Sequence, residues 1–406
     1  MSRAAPEANA SALAPFSVRS FQFQWPADLL TSWAFEMETL ILGWYILVET
    51  DSVLLLTAFG SLQFLGSLIA PLVGVAADRL GRRVVLCTLR ACYGALALAI
   101  MVLALLGALN AYWVFAIALL AGLARPSDLV VRNALIGDTV PGVWLARAIG
   151  LSRTTMDSAR IGGALAGAGL FAILGIGPAY VGVVVLYAIS LALTLGVAGR
   201  RTGAAAASPW QELKAGLAYI RRTPQVLALM LLAFLVNLTA YPISMGLLPY
   251  VAKDIYALDQ NGLGHLVAGY ACGALLGSVA MILLGGGRRS GRVMIAGIMA
   301  WYLALAVFAP QESKWPGFAV LLSIGILQSM AMIAMSVTLL RITPEQFRGL
   351  IMGVRMLAVY GLPLGLLAAG GMVNWFGFAP TVWIYAVIGI LCTAYIAWRW
   401  RGVIWR

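Results

Sequence analysis

Twelve apolar stretches recur along this 406-residue chain, each long enough to cross a bilayer as one helix. A spanning helix needs about 20 predominantly apolar residues. The runs occupy roughly 20–48, 52–76, 84–107, 111–137, 144–173 and 178–199, then 225–251, 262–285, 291–309, 316–340, 346–374 and 378–400. Breakers fall between them: Pro141-Gly142, Gly175 to Pro178, Gly285 to Gly287, Pro310, Pro344 and Pro380. The chain is 62% hydrophobic and 10% charged. A soluble domain carries roughly 25% charge. Lipid must therefore cover the apolar surface, and the expected fold is an all-α membrane protein with twelve transmembrane helices.

The formal net charge is +12, yet the basic residues do not form a nucleic-acid patch. They sit in short turns between apolar runs, as the positive-inside rule expects. Turns on the side of the termini hold Arg79, Arg82, Arg83, Arg147, Arg200, Arg201, Lys214, Arg221, Arg222, Arg288, Arg289, Arg292, Arg341 and Arg348. The tails add Arg3, Arg19, Arg399, Arg401 and Arg406, whereas the opposite side holds only Lys253 and Lys314. Both termini are thereby predicted to be cytoplasmic.

Two six-helix bundles are expected, 19–199 and 225–400, flanked by tails at 1–18 and 401–406. The first 18 residues lack a cleavable signal pattern. Residues 200–224 form the linker, where Trp210, Leu213, Leu217 and Ile220 recur at helical spacing, as in a helix lying on the membrane surface. The halves echo one another. GVAADRLGRRVVL follows the second run and GGGRRSGRVMI the eighth, without the aspartate. Arg153 precedes Gly163 by ten residues, and Arg355 precedes Gly365 by the same interval. Paired halves are a known transporter design. Gly163, Gly167 and Gly365 are read as helix-packing glycines.

Charges inside apolar runs cost roughly 2.5–3.5 kcal/mol each at the bilayer centre, so they face partners or a cavity. The first run carries Asp28, Glu36 and Glu38. At 100° per residue, Glu36 and Glu38 point about 160° apart. At least one is expected to bind a proton or a cationic group. Arg125, Asp128 and Arg132 share one helical face, as do Arg153, Asp157 and Arg160. A cross-helix network is expected, with Arg125 beside Asp157 and Asp128 beside Arg153. Surplus arginines would also suit an anionic substrate. In the second half, Arg355 is joined by the neutral polar groups Asn237, Tyr241, Gln328 and Tyr360. The candidates for proton coupling or the substrate cavity are thus Asp28, Glu36, Glu38, Arg125, Asp128, Asp157, Arg160, Asn237, Tyr241, Gln328 and Arg355.

Cys87, Cys92, Cys272 and Cys392 have no metal-ligand spacing and are expected to be small core residues. His265 is the single histidine. No cofactor, metal or enzyme motif is expected, so uphill work would draw on an ion gradient.

The stretch Gly74-x-x-x-Asp78-Arg79-x-Gly81-Arg82-Arg83 resembles the signature between helices two and three of the major facilitator superfamily. The resemblance implies alternating access, with Asp78 and Arg79 latching the bundles on the cytoplasmic side. The run from Arg132-Asn-Ala-Leu through Asp157-Ser-Ala-Arg160-Ile-Gly-Gly163-Ala164-Leu-Ala-Gly167 is similar to the bacterial branch of enterobactin-type siderophore exporters and macrolide pumps. Many proton-linked exporters carry proline where Ala164 stands here. This likeness implies a monomeric, proton-coupled exporter of an amphiphilic small organic molecule in the bacterial inner membrane. Alternatives are an importer of the same fold, a lipid flippase, or a non-transporting sensor.

Overall fold

The computed structural model describes residues 13–198, 218–283, 290–343 and 355–401. The surface helix expected around Trp210 and Leu213, the glycine–arginine turn at 285–289 and the terminal tails lie outside these residues, apart from 13–18 and 401. All regular elements among the described residues are helical.

The first half comprises α1 (Arg19–Thr50), α2 (Val53–Leu62), α3 (Ala70–Leu80), α4 (Arg82–Leu105), α5 (Ala111–Thr139), α6 (Gly142–Leu174) and α7 (Ile176–Leu195). The second comprises α8 (Pro224–Thr239), α9 (Gln260–Leu283), α10 (Ser290–Phe308), α11 (Lys314–Ile342), α12 (Gly361–Phe376) and α13 (Phe378–Arg399). Ten helical passes among the described residues are long and apolar enough to cross a membrane. The acid-bearing α1 and the interrupted α2–α3 pair add two more helical passes to that number.

Local chemistry explains the boundaries. Ser52 and Asn110 cap α2 and α5 by accepting from the Leu55 and Trp113 amides. Gly81, Gly175 and Gly377 each join two helices through one residue at positive φ, of +100°, +78° and +83°. Side-chain-bearing residues rarely adopt that conformation.

Two apolar runs are less regular than expected. The run 52–76 breaks into α2, a 3-10 turn at Leu65–Leu68, and α3. Pro71 in the first turn of α3 lacks the amide that a continuous helix would use. The broken backbone packs directly on α5, where a Cβ on Gly122 would collide with the Leu62 carbonyl. The run 225–251 is α-helical to Thr239 and again over the short turn Leu248–Tyr250. It continues to Ile255 through π-helical turns at Pro242–Gly246 and Val251–Ile255, near Pro242 and Pro249.

In the first half, α1 packs on α6 and α7, and α4 packs on α5 and α7. In the second, α11 packs on α9 and α10, while α12 and α13 pack on α8. The halves meet along α6–α9 and α2–α12. A Cβ on Gly264 would lie 2.6 Å from the Ala168 methyl, and Gly370 abuts Thr57. Both contacts lie toward the end of the molecule where α1 finishes, away from the arginine-rich turn. Large apolar side chains such as Val387, Leu391 and Leu364 are exposed on the flanks, where lipid would cover them. Cys92 and Cys392 are exposed and Cys87 and Cys272 half-buried, which corrects the expectation of core cysteines. In a membrane protein the apolar surroundings of a cysteine include the lipid-facing surface.

The tightest helix pair is α9–α11. A Cβ on Gly273 would strike the Leu322 backbone, and one on Gly325 the Tyr270 carbonyl. Gly371, by contrast, faces open space. Gly273→Leu is expected to destabilise by about 1–3 kcal/mol, the cost of overpacking. It should lower the detergent melting midpoint by several degrees, whereas Gly371→Leu should leave it unchanged.

Candidate functional site

Four charges are sealed inside the first half. Arg90 of α4 is fully buried, and donates to the Asp28 carboxylate on α1 and the Thr194 hydroxyl on α7. Arg132 of α5 lies 3.8 Å from Asp128 and 4.0 Å from Asp28, and Arg90 lies 3.9 Å from Asp128. Gln24 donates to the Arg132 carbonyl (3.0 Å), and Arg132 donates to Ser32 (3.3 Å). Among the described residues neither Asp128 oxygen has a hydrogen-bond donor, and the Arg90 and Arg132 charges lie 3.9 and 3.8 Å away. Two cations and two anions balance, which is what burial demands.

A second cluster surrounds Glu38. Arg125 donates to the Glu38 carboxylate at 3.0 Å, and the Tyr187 hydroxyl donates to the same carboxylate at 2.6 Å. Arg125 also donates to Gln63 (2.7 Å) and Thr39 (3.1 Å), and its guanidinium lies 4.4 Å over the Phe35 ring. The expected pairs Arg125–Asp157 and Asp128–Arg153 therefore do not form. The shared face of Arg125, Asp128 and Arg132 turns toward α1 and α4 rather than α6. Antiparallel succession about Pro141 equalises depth but does not set rotation.

The third cluster lies between the halves. Glu36 faces Arg160 at 3.9 Å, with both side chains nearly one-third exposed. The glycines of α6 bring α1 this close: a Cβ on Gly163 would lie 3.1 Å from the Glu36 Cβ, and one on Gly167 2.9 Å from the Met37 Cα. Asp157 sits half-buried one turn before Arg160, with no ion pair among the described residues. From the second half, Gln328 donates to the Tyr241 hydroxyl (2.7 Å) and Arg355 to Ser336 (2.7 Å). Gly365 packs α12 onto Leu238 and Pro242. Asn237 instead donates to the Ala233 carbonyl of its own helix.

The arginine-rich turn is tied within the first half. Arg82 pairs with Asp78 (2.9 Å) and with Asp138 of α5 (2.6 Å), and donates to the Ala134 carbonyl. Arg83 donates to the Leu195 carbonyl, Gly74 rests against Val130, and Arg79 is exposed. At the other end of the molecule, Lys253 bridges to Asp51 at 2.5 Å across the two halves. That hydrogen bond and the ammonium charge hold the Asp51 carboxyl below its ordinary range.

Sequence reasoning did not assign roles to Arg90, Asp138, Tyr187, Gln63 or the Asp51–Lys253 pair. Arg90 carried a signal, being the only charge within 84–109. Asp51 and Lys253 lie too far apart in sequence for any local pattern.

Two outcomes are expected. Arg90→Gln leaves Asp28 and Asp128 short of one cation and should destabilise by about 3–5 kcal/mol, seen as a lower melting midpoint. Adding Asp28→Asn should recover part of it. Lys253→Gln should raise maleimide labelling of Thr57→Cys several-fold. A depressed carboxyl contributes above its unpaired value and loses that contribution only as pH falls through the lower folded value. The ratio of labelling between the Lys253→Gln variant and the protein with Lys253, taken at each pH so that the shared fall in thiolate cancels, should therefore stay constant from pH 8 to 5.

Among solved structures, the fold is similar to that of the nucleoside transporter NupG, at TM-score 0.76 and 15% identity, covering 94% of this chain and 99% of that one. A bacterial homolog of the human lysosomal transporter Spinster gives TM-score 0.74 at 14% identity, covering 95% and 96%. A D-xylose–proton symporter gives TM-score 0.72 at 13% identity, covering 93% and 96%. No curated protein matches the sequence. The Major Facilitator Superfamily profile matches residues 25–366. With ten membrane-length apolar helices among the described residues and that match over most of its length, the chain belongs to the Major Facilitator Superfamily, a family of secondary transporters rather than enzymes.

Proposed function

We propose that the chain couples proton movement to export of an amphiphilic small organic molecule, siderophore- or drug-like, by alternating access. The halves 19–199 and 225–400 act as the moving bodies, joined by 200–224, in a monomer of the bacterial inner membrane. The single observation that carries this reading is Glu38, paired with Arg125 and hydrogen-bonded by Tyr187 inside the helical region.

A proton on Glu38 would cancel the charge that holds Arg125. Arg125 would then rest on Gln63, Thr39 and the Phe35 ring. Gln63 lies at the break between α2 and the 3-10 turn. Two residues on, the Leu65 carbonyl accepts from the Tyr360 hydroxyl of the second half (3.1 Å). The proton site thus adjoins a contact between the moving bodies through one short, irregular segment. Such segments absorb dihedral change more readily than continuous helix.

Export also draws support from the likeness of the Arg132–Gly167 stretch to siderophore exporters and macrolide pumps. The Asp78–Arg82–Asp138 contacts keep the signature charges within one body in this state. By that likeness, Asp78 and Arg79 would latch the other body when the cytoplasmic side closes.

Flux in proteoliposomes under an imposed pH gradient tests the proposal, screened across siderophores and drugs. Protons entering should drive cargo out through the wild-type protein. Glu38→Gln should reduce proton-driven flux to background while the protein still folds. Wild-type coupling in that variant would remove Glu38 as the carrier.

A further inference from the structure

We infer that the cargo carries an anionic group, of the carboxylate class, which seats between Arg355 of the second half and the Arg153–Arg160 face of α6. The inference rests on the transporter reading above and adds the chemical class of what is carried.

Depth can be followed along observed contacts. α6 and α9 run antiparallel with Gly264 against Ala168 and Ala164. Moving the same number of residues along each helix brings Tyr270 level with Arg160. Tyr270 is 3% exposed and its hydroxyl has no hydrogen-bond partner. Tyr360 meets Leu65, Thr39 donates to Gln63, and Trp33 abuts Gly162. This chain of contacts sets Arg355, which lies five residues before Tyr360, at the depth of Asp157 and Arg160.

Three guanidiniums, Arg153, Arg160 and Arg355, then lie within electrostatic reach of the Tyr241 hydroxyl. Arg160 has a weak partner in Glu36 at 3.9 Å, and Asp157 lies one turn from it. Arg153 is exposed and makes no ion pair among the described residues. Arg355 is half-buried and, among the described residues, donates to the Ser336 hydroxyl. Arg153 and Arg355 repel each other across the gap, and both lie within electrostatic reach of Tyr241. Among the described residues, two carboxylates, Glu36 and Asp157, stand against these three cations, which leaves one positive charge without a counterion. A monoanion completes the balance, as Asp28 and Asp128 balance Arg90 and Arg132 in the sealed cluster. A forked guanidinium suits a carboxylate in both shape and charge. The free Tyr270 hydroxyl and the Gln328–Tyr241 pair supply neutral donors at the same level.

The repulsion has a conformational side. Arg153 and Arg355 belong to different halves, so under the alternating-access reading a closure of the basic end would bring them closer. An empty carrier would close there against like-charge repulsion, and an anion would relieve it.

The test is an equilibrium one, so it does not depend on whether protons drive flux. Naphthylacetate, naphthylethanol and naphthylethylamine share a ring and differ in head group. Binding is read as thermal stabilisation of the purified transporter in nanodiscs. The carboxylate should stabilise the wild type more than the alcohol or the amine. In Arg355→Gln its apparent affinity should fall about tenfold or more, as for loss of a charge-assisted hydrogen bond. A second arm uses no ligand. Spin labels at Val143→Cys and Arg292→Cys, with the four native cysteines replaced by serine, report the distance between the halves at the basic end. Arg355→Gln should increase the short-distance population several-fold, whereas Arg355→Lys should match the wild type. Equal response to the three head groups, including none, or an unchanged distance distribution in Arg355→Gln, would overturn the inference.

Discussion

Burying ions where no water can reach them is the condition on which the first half depends. Arg90, Asp28, Asp128 and Arg132 come from α1, α4 and α5, and Thr194 adds α7. None of these groups is tolerable alone in an apolar interior, and together they are neutral. Their mutual need sets which helix faces meet, a choice that apolar packing leaves open because lipid is as apolar as leucine. The second half has no comparable ion cluster among its described residues. It is held by backbone-close glycine contacts on α9 and α11 and by neutral hydrogen bonds such as Thr239–Tyr302 (2.6 Å).

That asymmetry has a functional counterpart. The sealed quartet, the Glu38–Arg125 cluster and the Glu36–Arg160 pair form a series of increasing exposure across the first half. The innermost group is structural by its balance. The outermost faces the second half, which presents Tyr241, Gln328 and Arg355 in return. Rigid interior and adaptable interface are thereby separated by about 12 Å, from Asp28 to Glu36, along one helix, α1.

Much of the fold was legible in the chain. Apolar runs told that the chain is an all-α assembly of membrane-length helices, because bilayer thickness fixes their length. The separation of Glu36 and Glu38 followed from helical angle alone. What was not legible was rotation between helices. Arg125 met Glu38 rather than Asp157 because the turn at Pro141 sets the order of α5 and α6 but not which faces touch. The break in 52–76 was hidden for a related reason: its cause is the close approach of Gly122 to Leu62, a contact between distant segments. Proline at 71 hinted at it, yet proline in the first turn of a helix also reads as an ordinary start.

The one-residue connections at Gly81, Gly175 and Gly377 have a wider consequence. Each leaves no slack between consecutive rods, so the angular setting of one helix is passed directly to the next. One residue inserted after Gly81 would rotate α4 by about 100°. Arg90 would swing from its two carboxylates toward lipid. The chain can thus accept added length in its linker far more readily than at these corners, and its natural variation in length should be distributed accordingly.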